Sequence, residues 1–519
     1  MKLPDRHRAA EWGRRAVPII MPAVALVLIA WVYFLGVRSE RTGFVDRVLD
    51  PGIKRLTHPV LNAFRGRPPE VPLLRVEWPP AASGTDSTAA PPVPGWTELP
   101  ATYNGDTVLL LVDLDGAAGP DDALRLRLPA APWGMTTATA RPATSDAPLW
   151  AWWFTAVQRA WGAPMLATEL VEVDMGDRAG GLHLMEQEMD SAWLAAHGAL
   201  VAVALDDALL ANARHAMARR DHPARPPAQA DWSNAPVRMV QAAQGAEGVL
   251  AAQRAVERLE AFRSGSAPAS TVLNTEAAAR LMALCDVMGA AGTMQWWNFW
   301  FVPDSATGRL TMVPMRIEAG RPTEVLQVLH TSAPLRWPME GTSFHDRLFG
   351  DPVMHHAYMA CLDSLSDPEG WTGTRALLAE DLEHRYRIVQ AEYPGTVLDL
   401  GVMDHGRSLA HQELHPADPV LAHTQGAVGG HHRLVVASVH SLPVVVHGAV
   451  SGTDTVPARP PQLLWPRRTG SPLSFVPLHL QLPVRPGEAV QVLAGVQGIA
   501  DTTAVPVRAW STLPASTAP

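Results

Sequence analysis

Apolar and polar positions along the chain predict a protein in which helices and strands alternate over most of its length. The clearest helix covers residues 275–288, where Leu281 and Leu284 lie one turn apart on an apolar face. Shorter apolar or alternating runs at 107–114 and 123–128 are typical of strands. The pattern therefore favours an α/β (α+β) fold class.

The stretch 296–320, WWNFWFVPDSATGRLTMVPMRIEAG, carries the most informative pattern. Residues 298–302 are aromatic and apolar, as expected of a buried strand. Residues 304–308 form a turn cluster that ends in glycine, and the run 310–317 is again strand-like. The sequence therefore predicts a β-hairpin soon after the helix at 275–288.

The apolar pattern changes near residue 417. Residues 418–515 contain short apolar or alternating runs, most of them separated by turn-like stretches, which predicts a β-rich, β-sandwich-like domain. We expect a linker at 401–417 and a core domain at 101–400.

The N-terminal region carries an apolar segment at 16–37 that has no charged residue. Its length is sufficient to cross a bilayer, and it is too long for the apolar region of a cleaved signal peptide. We expect a transmembrane helix there, a cytoplasmic N-terminus at 1–15, and a juxtamembrane segment and Pro-rich loop at 38–100. The expected location is a bacterial inner (cytoplasmic) membrane, crossed once, with the body periplasmic or extracellular. Both flanks of the segment are basic, so this orientation rests on the usual behaviour of a single early span.

Composition indicates a globular body without a nucleic-acid partner. Of the 519 residues, 47% are hydrophobic and 18% charged, and the net charge of −9 gives no electrostatic case for binding nucleic acid. Eighteen tryptophans raise the idea of stacking on carbohydrate, since Trp150, Trp153 and Trp161 could share one helical face. Core filling is the favoured interpretation, because aromatic side chains bring a large buried area.

The order of elements around the hairpin resembles a known family. The order is a helix, then Asn298, an aromatic strand, a "TGRL" turn and an apolar segment with proline. This order resembles the core of the CotH kinase-like family (spore-coat protein H type), in its membrane-anchored bacterial branch. GGLHLMEQEMD at 180–190 and DPVMHHAYMACLDSLSDPEGW at 351–371 also resemble family segments. The resemblance implies an atypical protein-kinase-like core and, in active members, Mg-ATP-dependent phosphoryl transfer to a protein.

The resemblance assigns roles to five residues. By this match Asp286 would act near the acceptor hydroxyl, and Glu186 would be the acid near the phosphate-binding cation, so both are catalytic candidates. Asn298 and Arg316 stand at cofactor-binding positions, and Asn298 and Glu318 are the candidates for holding metal. Mg and ATP are expected as cofactors only if the site is active.

The sequence departs from the family pattern at several of these positions. Gly292 stands where the family has histidine, and Arg316 stands where it has the metal-binding aspartate. There is no lysine after Lys54, and arginine is not an equivalent phosphate cation. A strand between 129 and 142 is expected to be shortened or lost. Each change removes a phosphate or metal contact, and phosphoryl transfer depends mainly on such contacts.

These observations predict a membrane-anchored CotH-like protein, of pseudokinase type or a strongly altered kinase, that acts in cell-envelope or surface-polymer assembly. Two alternatives stay open. One is an active Mg-ATP-dependent protein kinase, which would need Glu186, Asp286 and Glu318 to converge on one pocket. The other is a non-enzymatic binding module for a surface polysaccharide or an envelope partner protein, which would be favoured if Arg316 fills that pocket by pairing with Asp286 or Glu318.

Overall fold

The computed structural model describes the chain in twelve stretches and one single residue: 70–76, 96–103, 106–113, 124–128, 135–143, 147–174, 180–206, 232, 235–330, 344–393, 396–467, 472–485 and 487–510. Contacts divide the chain into two units, residues 1–70 with 390–395, and residues 71–389 with 396–519. Of the first unit only Glu70 and 390–393 are described, where 390–392 end a helix. All further description concerns the second unit.

A closed barrel is the first structure along the chain. Its strands are β1 (Leu73–Val76), β2 (Trp96–Tyr103), β3 (Asp106–Asp113), β4 (Leu124–Arg127), β5 (Thr137–Pro142), β6 (Thr168–Asp174) and β7 (Gly181–Gln187). They are paired in the order β1-β2-β3-β4-β5-β7-β6, and β1 closes the barrel by pairing in parallel with β6. Because side chains alternate across a strand, one set fills the interior, including Leu74, Val76, Ala138, Ala140, Val171 and Met185.

A second sheet holds the predicted hairpin. Its strands are β8 (Val201–Leu205), β9 (Val237–Ala242), β10 (Phe299–Pro303) and β11 (Leu310–Pro314), in the order β11-β10-β8-β9. The hairpin prediction is confirmed by β10 and β11, which pair from Phe299–Pro314 to Pro303–Leu310. The side chain of Asp304 accepts hydrogen bonds from the backbone of Ala306 and Thr307, which fixes the turn.

Ten described helices complete the fold around the two sheets. They are α1 (Ala147–Ala160), α2 (Ser191–Ala196), α3 (Ala246–Ser264), α4 (Ala269–Val272), α5 (Thr275–Val287), α6 (Gln327–His330), α7 (Phe344–Phe349), α8 (Pro352–Ser366), α9 (Pro368–Glu392) and α10 (Gly401–Leu414).

The predicted helix at 275–288 is confirmed as α5 and forms the centre of the main core. Asn274 caps it by accepting a hydrogen bond from the Ala277 backbone at 3.2 Å. Leu281, Leu284 and Cys285 are each at most 2% exposed, in the same hydrophobic cluster as Tyr358 of α8.

The C-terminal strands form one seven-stranded sheet. They are β12 (Val420–Val428), β13 (His431–Ser438), β14 (Val444–Ser451), β15 (Asp454–Leu464), β16 (Val476–Leu478), β17 (Val490–Val496) and β18 (Thr503–Ala509), in the order β15-β14-β17-β18-β12-β13-β16. Strand β18 pairs in parallel with β12 and antiparallel with β17. This double pairing joins the strands into a continuous sheet instead of the predicted β-sandwich.

The predicted arrangement of the sheets is therefore wrong. The chain is a mixed α/β protein with several sheets, one of them closed into a barrel that the predicted kinase-like core does not include. The cause is the pairing of β1 with β6, which joins residues about a hundred positions apart, such as Leu74 and Val173. Local apolar patterns do not encode such a pairing.

The expected membrane helix has no support in the structure. Among the described residues no helix is long and apolar enough to cross a membrane. The segment 16–37, for which we expect such a helix, lies outside the described residues, as do 1–15 and most of the predicted juxtamembrane segment.

The segment predicted as a linker, 401–417, contains α10. Met403, Ala410 and Leu414 of this helix are each at most 6% exposed and belong to the main core cluster around α5. Gly406 lies so close to α5 that a Cβ atom there would be 2.3 Å from the Val287 carbonyl oxygen. Helix α10 is therefore packed directly on the core.

Candidate functional site

Glu186 and Arg141 meet on the outer face of the barrel. Strands β5 and β7 are antiparallel, with Thr139 opposite Glu186 and Arg141 opposite Leu184. Because the intervening Ala140 points into the barrel, Arg141 and Glu186 share the outer face. The Nε atom of Arg141 lies 3.1 Å from the Oε2 atom of Glu186.

Glu186 is a buried carboxylate influenced by two arginines. The Glu186 residue is 8% exposed. Burial raises the pKa of Glu186, because water no longer stabilises the charged form, while the positive charges of Arg141 and Arg316 act in the opposite direction. Arg316 follows β11 of the second sheet, so the barrel and that sheet each supply a cation to this carboxylate.

A strand is present where the sequence leads us to expect one shortened or lost, because β5 occupies six of the residues 129–142. The sequence pattern does not predict this strand, because its inward-facing residues, Ala138 and Ala140, are small and the expected signal is a row of large apolar side chains. Arg141 was consequently missed as the partner of Glu186. The available signal for strand β5 was an alternation of Thr137, Thr139 and Arg141 with two alanines.

Asp286 is held entirely within the main core. It lies in the last turn of α5, is 2% exposed, and accepts hydrogen bonds from the backbone N–H groups of Val328 (2.8 Å) and Leu329 (2.9 Å) and from the Tyr358 hydroxyl (2.5 Å). Burial raises the pKa of Asp286 to about 6, and these three hydrogen bonds oppose the rise. The carboxylate thus caps the N-terminus of α6 and fixes α8.

Asn298 is likewise bonded to backbone groups. Its amide nitrogen donates to the carbonyl oxygens of Thr293 (2.9 Å) and Arg316 (2.6 Å), and its amide oxygen accepts from the Arg316 backbone N–H (2.9 Å). This 8% exposed side chain therefore joins the 3-10 turn at 291–294 to the segment that follows β11. Both amide hydrogens are used in these contacts.

Glu318 fills the space beside Gly292, the position of the family histidine. A Cβ atom on Gly292 would lie 2.6 Å from the Oε2 atom of Glu318. The same carboxylate oxygen accepts a hydrogen bond from Arg321 at 3.2 Å, and the Glu318 side chain is 39% exposed. Glycine at 292 is therefore the residue that leaves room for the Glu318–Arg321 pair.

The structure gives Glu186 and Asp286 different neighbours. Glu186 lies with Arg316 and the newly found Arg141, while Asp286 lines a cavity of about 250 Å³ together with Gly292 and Arg321. Arg316 is exposed and, among the described residues, forms no ion pair with Asp286 or Glu318. The closed site that would pair Arg316 with either acid is therefore not formed.

The donor set does not fit the Mg²⁺ site implied by the resemblance. Mg²⁺ requires several hard oxygen ligands in octahedral geometry. Here the Asp286 carboxylate and the amide oxygen of Asn298, the atoms that would ligate a metal, accept hydrogen bonds from the chain's own groups, and Glu318 pairs with Arg321. Within the described part of the chain, no group of three or more His, Cys, Asp or Glu residues could hold a metal ion.

Comparison with known proteins adds no further family information. No protein-family model matches the sequence, and no curated protein matches it. The CotH-like resemblance rests on the segments quoted above, and it remains a prediction.

Proposed function

We propose that this chain is a pseudokinase-type, CotH-like protein that binds an anionic phosphate ligand beside Arg141 and Arg316 and does not transfer phosphate. The observation that carries the proposal is the engagement of Asp286 and Asn298 by backbone groups and Tyr358. A residue that acts on an acceptor hydroxyl or on Mg²⁺ needs an oxygen that is free to reach it.

The two arginines support the binding part of the proposal. The Arg141 side chain is a third exposed, and its Nε atom faces Glu186. Arg316 is exposed and close enough to affect the pKa of Glu186. The two guanidinium groups outnumber the one Glu186 carboxylate near them, and the remaining positive charge favours an anion without a metal ion.

A phosphate-transfer assay on the full chain tests the catalytic part. The chain is incubated with γ-labelled ATP and Mg²⁺ or Mn²⁺, alone and with casein as a generic acceptor. We expect no label in either protein, and an unfolding temperature that ATP raises in EDTA as well as in Mg²⁺.

The active-kinase alternative predicts a different result. Metal-dependent incorporation of label, reduced by Glu318→Gln, would show that the site transfers phosphate and would overturn the proposal. The expected role in cell-envelope or surface-polymer assembly is not addressed by this assay and stays a prediction.

A further inference from the structure

A groove lies where the two edges of the C-terminal sheet approach each other. The edge strands are β15 and β16, and the Gln462 side chain donates a hydrogen bond to the Pro477 carbonyl oxygen at 3.2 Å. Beside this contact is a cavity of about 460 Å³. Its lining includes Ser438, Gln462, Trp465, Arg467, Leu473 and Ser474.

Trp465 presents its indole ring to solvent at this groove. It is 70% exposed, whereas Trp150, Trp153 and Trp193 are each at most 2% exposed. The neighbouring Leu463 is also 40% exposed. The interpretation of tryptophan as core filling therefore holds for Trp150 and Trp153 but not for Trp465. Single exposed apolar residues are common on surfaces, but an indole and a leucine at one groove form an apolar contact surface.

The polar side chains of the groove indicate the chemistry of its ligand. Ser438 and Ser474 carry hydroxyl groups, Gln462 carries an amide, Arg467 carries a guanidinium group, and the described residues of the lining include no acidic one. These groups can both donate and accept hydrogen bonds, and they suit a ligand with many hydroxyl groups and no positive charge.

We propose that this groove binds a glycan chain, with the apolar face of one sugar ring stacked on Trp465 and its hydroxyl groups bonded to Gln462 and Arg467. A proline-rich peptide would also contact an indole, but grooves for such peptides are lined by several aromatic side chains. Among the residues of this lining that the structure describes, Trp465 is the one aromatic side chain. The proposal does not depend on phosphate binding or transfer at Arg141 and Arg316.

The test is titration calorimetry of the full chain with three hexasaccharides: β-1,4-linked glucose, β-1,4-linked N-acetylglucosamine and α-1,4-linked galacturonic acid. We expect at least one to bind, and we expect Trp465→Ala to weaken that binding at least tenfold, or about 1.4 kcal/mol. The matched control is Trp510→Ala, because Trp510 is also exposed, at 40%, but lies outside the groove lining.

Two further measurements keep the result interpretable. Gln462→Ala should weaken the same binding, and all three variants should retain the unfolding temperature of the unaltered chain to within a few degrees. Absence of binding by all three probes at millimolar concentration would overturn the proposal, as would equal weakening by Trp510→Ala. Binding of a decaproline peptide that Trp465→Ala abolishes, without any glycan binding, would also overturn it and indicate a protein partner.

Discussion

Arg141 and Glu186 lie on neighbouring strands of the barrel with 3.1 Å between Nε and Oε2, and the Glu186 side chain is only 10% exposed. A second ion pair of the same barrel, Arg75–Asp174, has almost the same length, 2.9 Å, but its acid is 40% exposed. The two pairs therefore differ mainly in how far their carboxylates are removed from water.

This difference predicts unequal effects of two equivalent substitutions. Arg141→Met leaves a buried carboxylate without its cation, so we expect it to lower the free energy of unfolding at pH 7.5 by about 2–3 kcal/mol. This loss is smaller than that expected for a fully buried ion pair, because the Arg141 side chain is a third exposed. Arg75→Met removes an exposed pair and should cost less than about 1 kcal/mol. Urea unfolding of both variants measures these losses, and equal losses would contradict the buried role of Glu186.

Loss of the Tyr358 hydroxyl predicts a pH-dependent loss of stability. The folded-state pKa of Asp286 is about 6 against an ordinary value of 3.8, so the contribution of Asp286 to stability falls as pH rises between these values. The Tyr358 hydrogen bond opposes this pKa rise. Tyr358→Phe should therefore cost about 2 kcal/mol at pH 7.5, where the carboxylate is charged, and about 1 kcal/mol at pH 5.

Tyr386→Phe is the matched control for that measurement. The Tyr386 hydroxyl donates to the Thr396 carbonyl oxygen at 3.2 Å, a bond to a neutral group. Its loss should cost about 1 kcal/mol at both pH values. If Tyr358→Phe were equally costly at pH 5 and pH 7.5, the account of Asp286 as a buried, charged cap would be wrong.

Two neighbouring glycines should respond differently to alanine. Gly289 has φ of +57°, and a Cβ atom there would lie 1.9 Å from the Arg321 carbonyl oxygen, a backbone atom. Gly289→Ala should therefore cost more than about 1 kcal/mol. At Gly292 the nearest atom is the end of the Glu318 side chain, which can rotate away, so Gly292→Ala should cost less than about 1 kcal/mol. Thermal unfolding compares the two, and a larger loss at Gly292 would contradict the geometry around Glu318.

Local elements of this chain could be predicted because their patterns are local. Helix α5 shows a 3.6-residue apolar repeat and an Asn cap, and the β10–β11 hairpin has a turn cluster between two apolar runs. Helix α10 also carries a helical pattern, with Met403, Ala410 and Leu414 on one face, although we expect a linker at 401–417 from the sequence.

The arrangement of the sheets could not be predicted in the same way. Closure of the barrel depends on β1 pairing with β6, and continuity of the C-terminal sheet depends on β18 pairing with both β12 and β17. These contacts join segments that are distant in sequence, so the periodicity of apolar residues within one segment does not predict them. For the same reason the sequence does not predict the hydrogen bonds from Val328, Leu329 and Tyr358 to Asp286, and the catalytic role of Asp286 stays a prediction of the resemblance.

The measurement that tests the central claim most directly is titration calorimetry of ATP into the full chain in the presence of EDTA. The account predicts binding without metal that Arg316→Ala weakens at least tenfold and that Arg309→Ala, at an exposed arginine of the β10–β11 turn, leaves unchanged. Binding that requires Mg²⁺, or that both variants weaken equally, would contradict it.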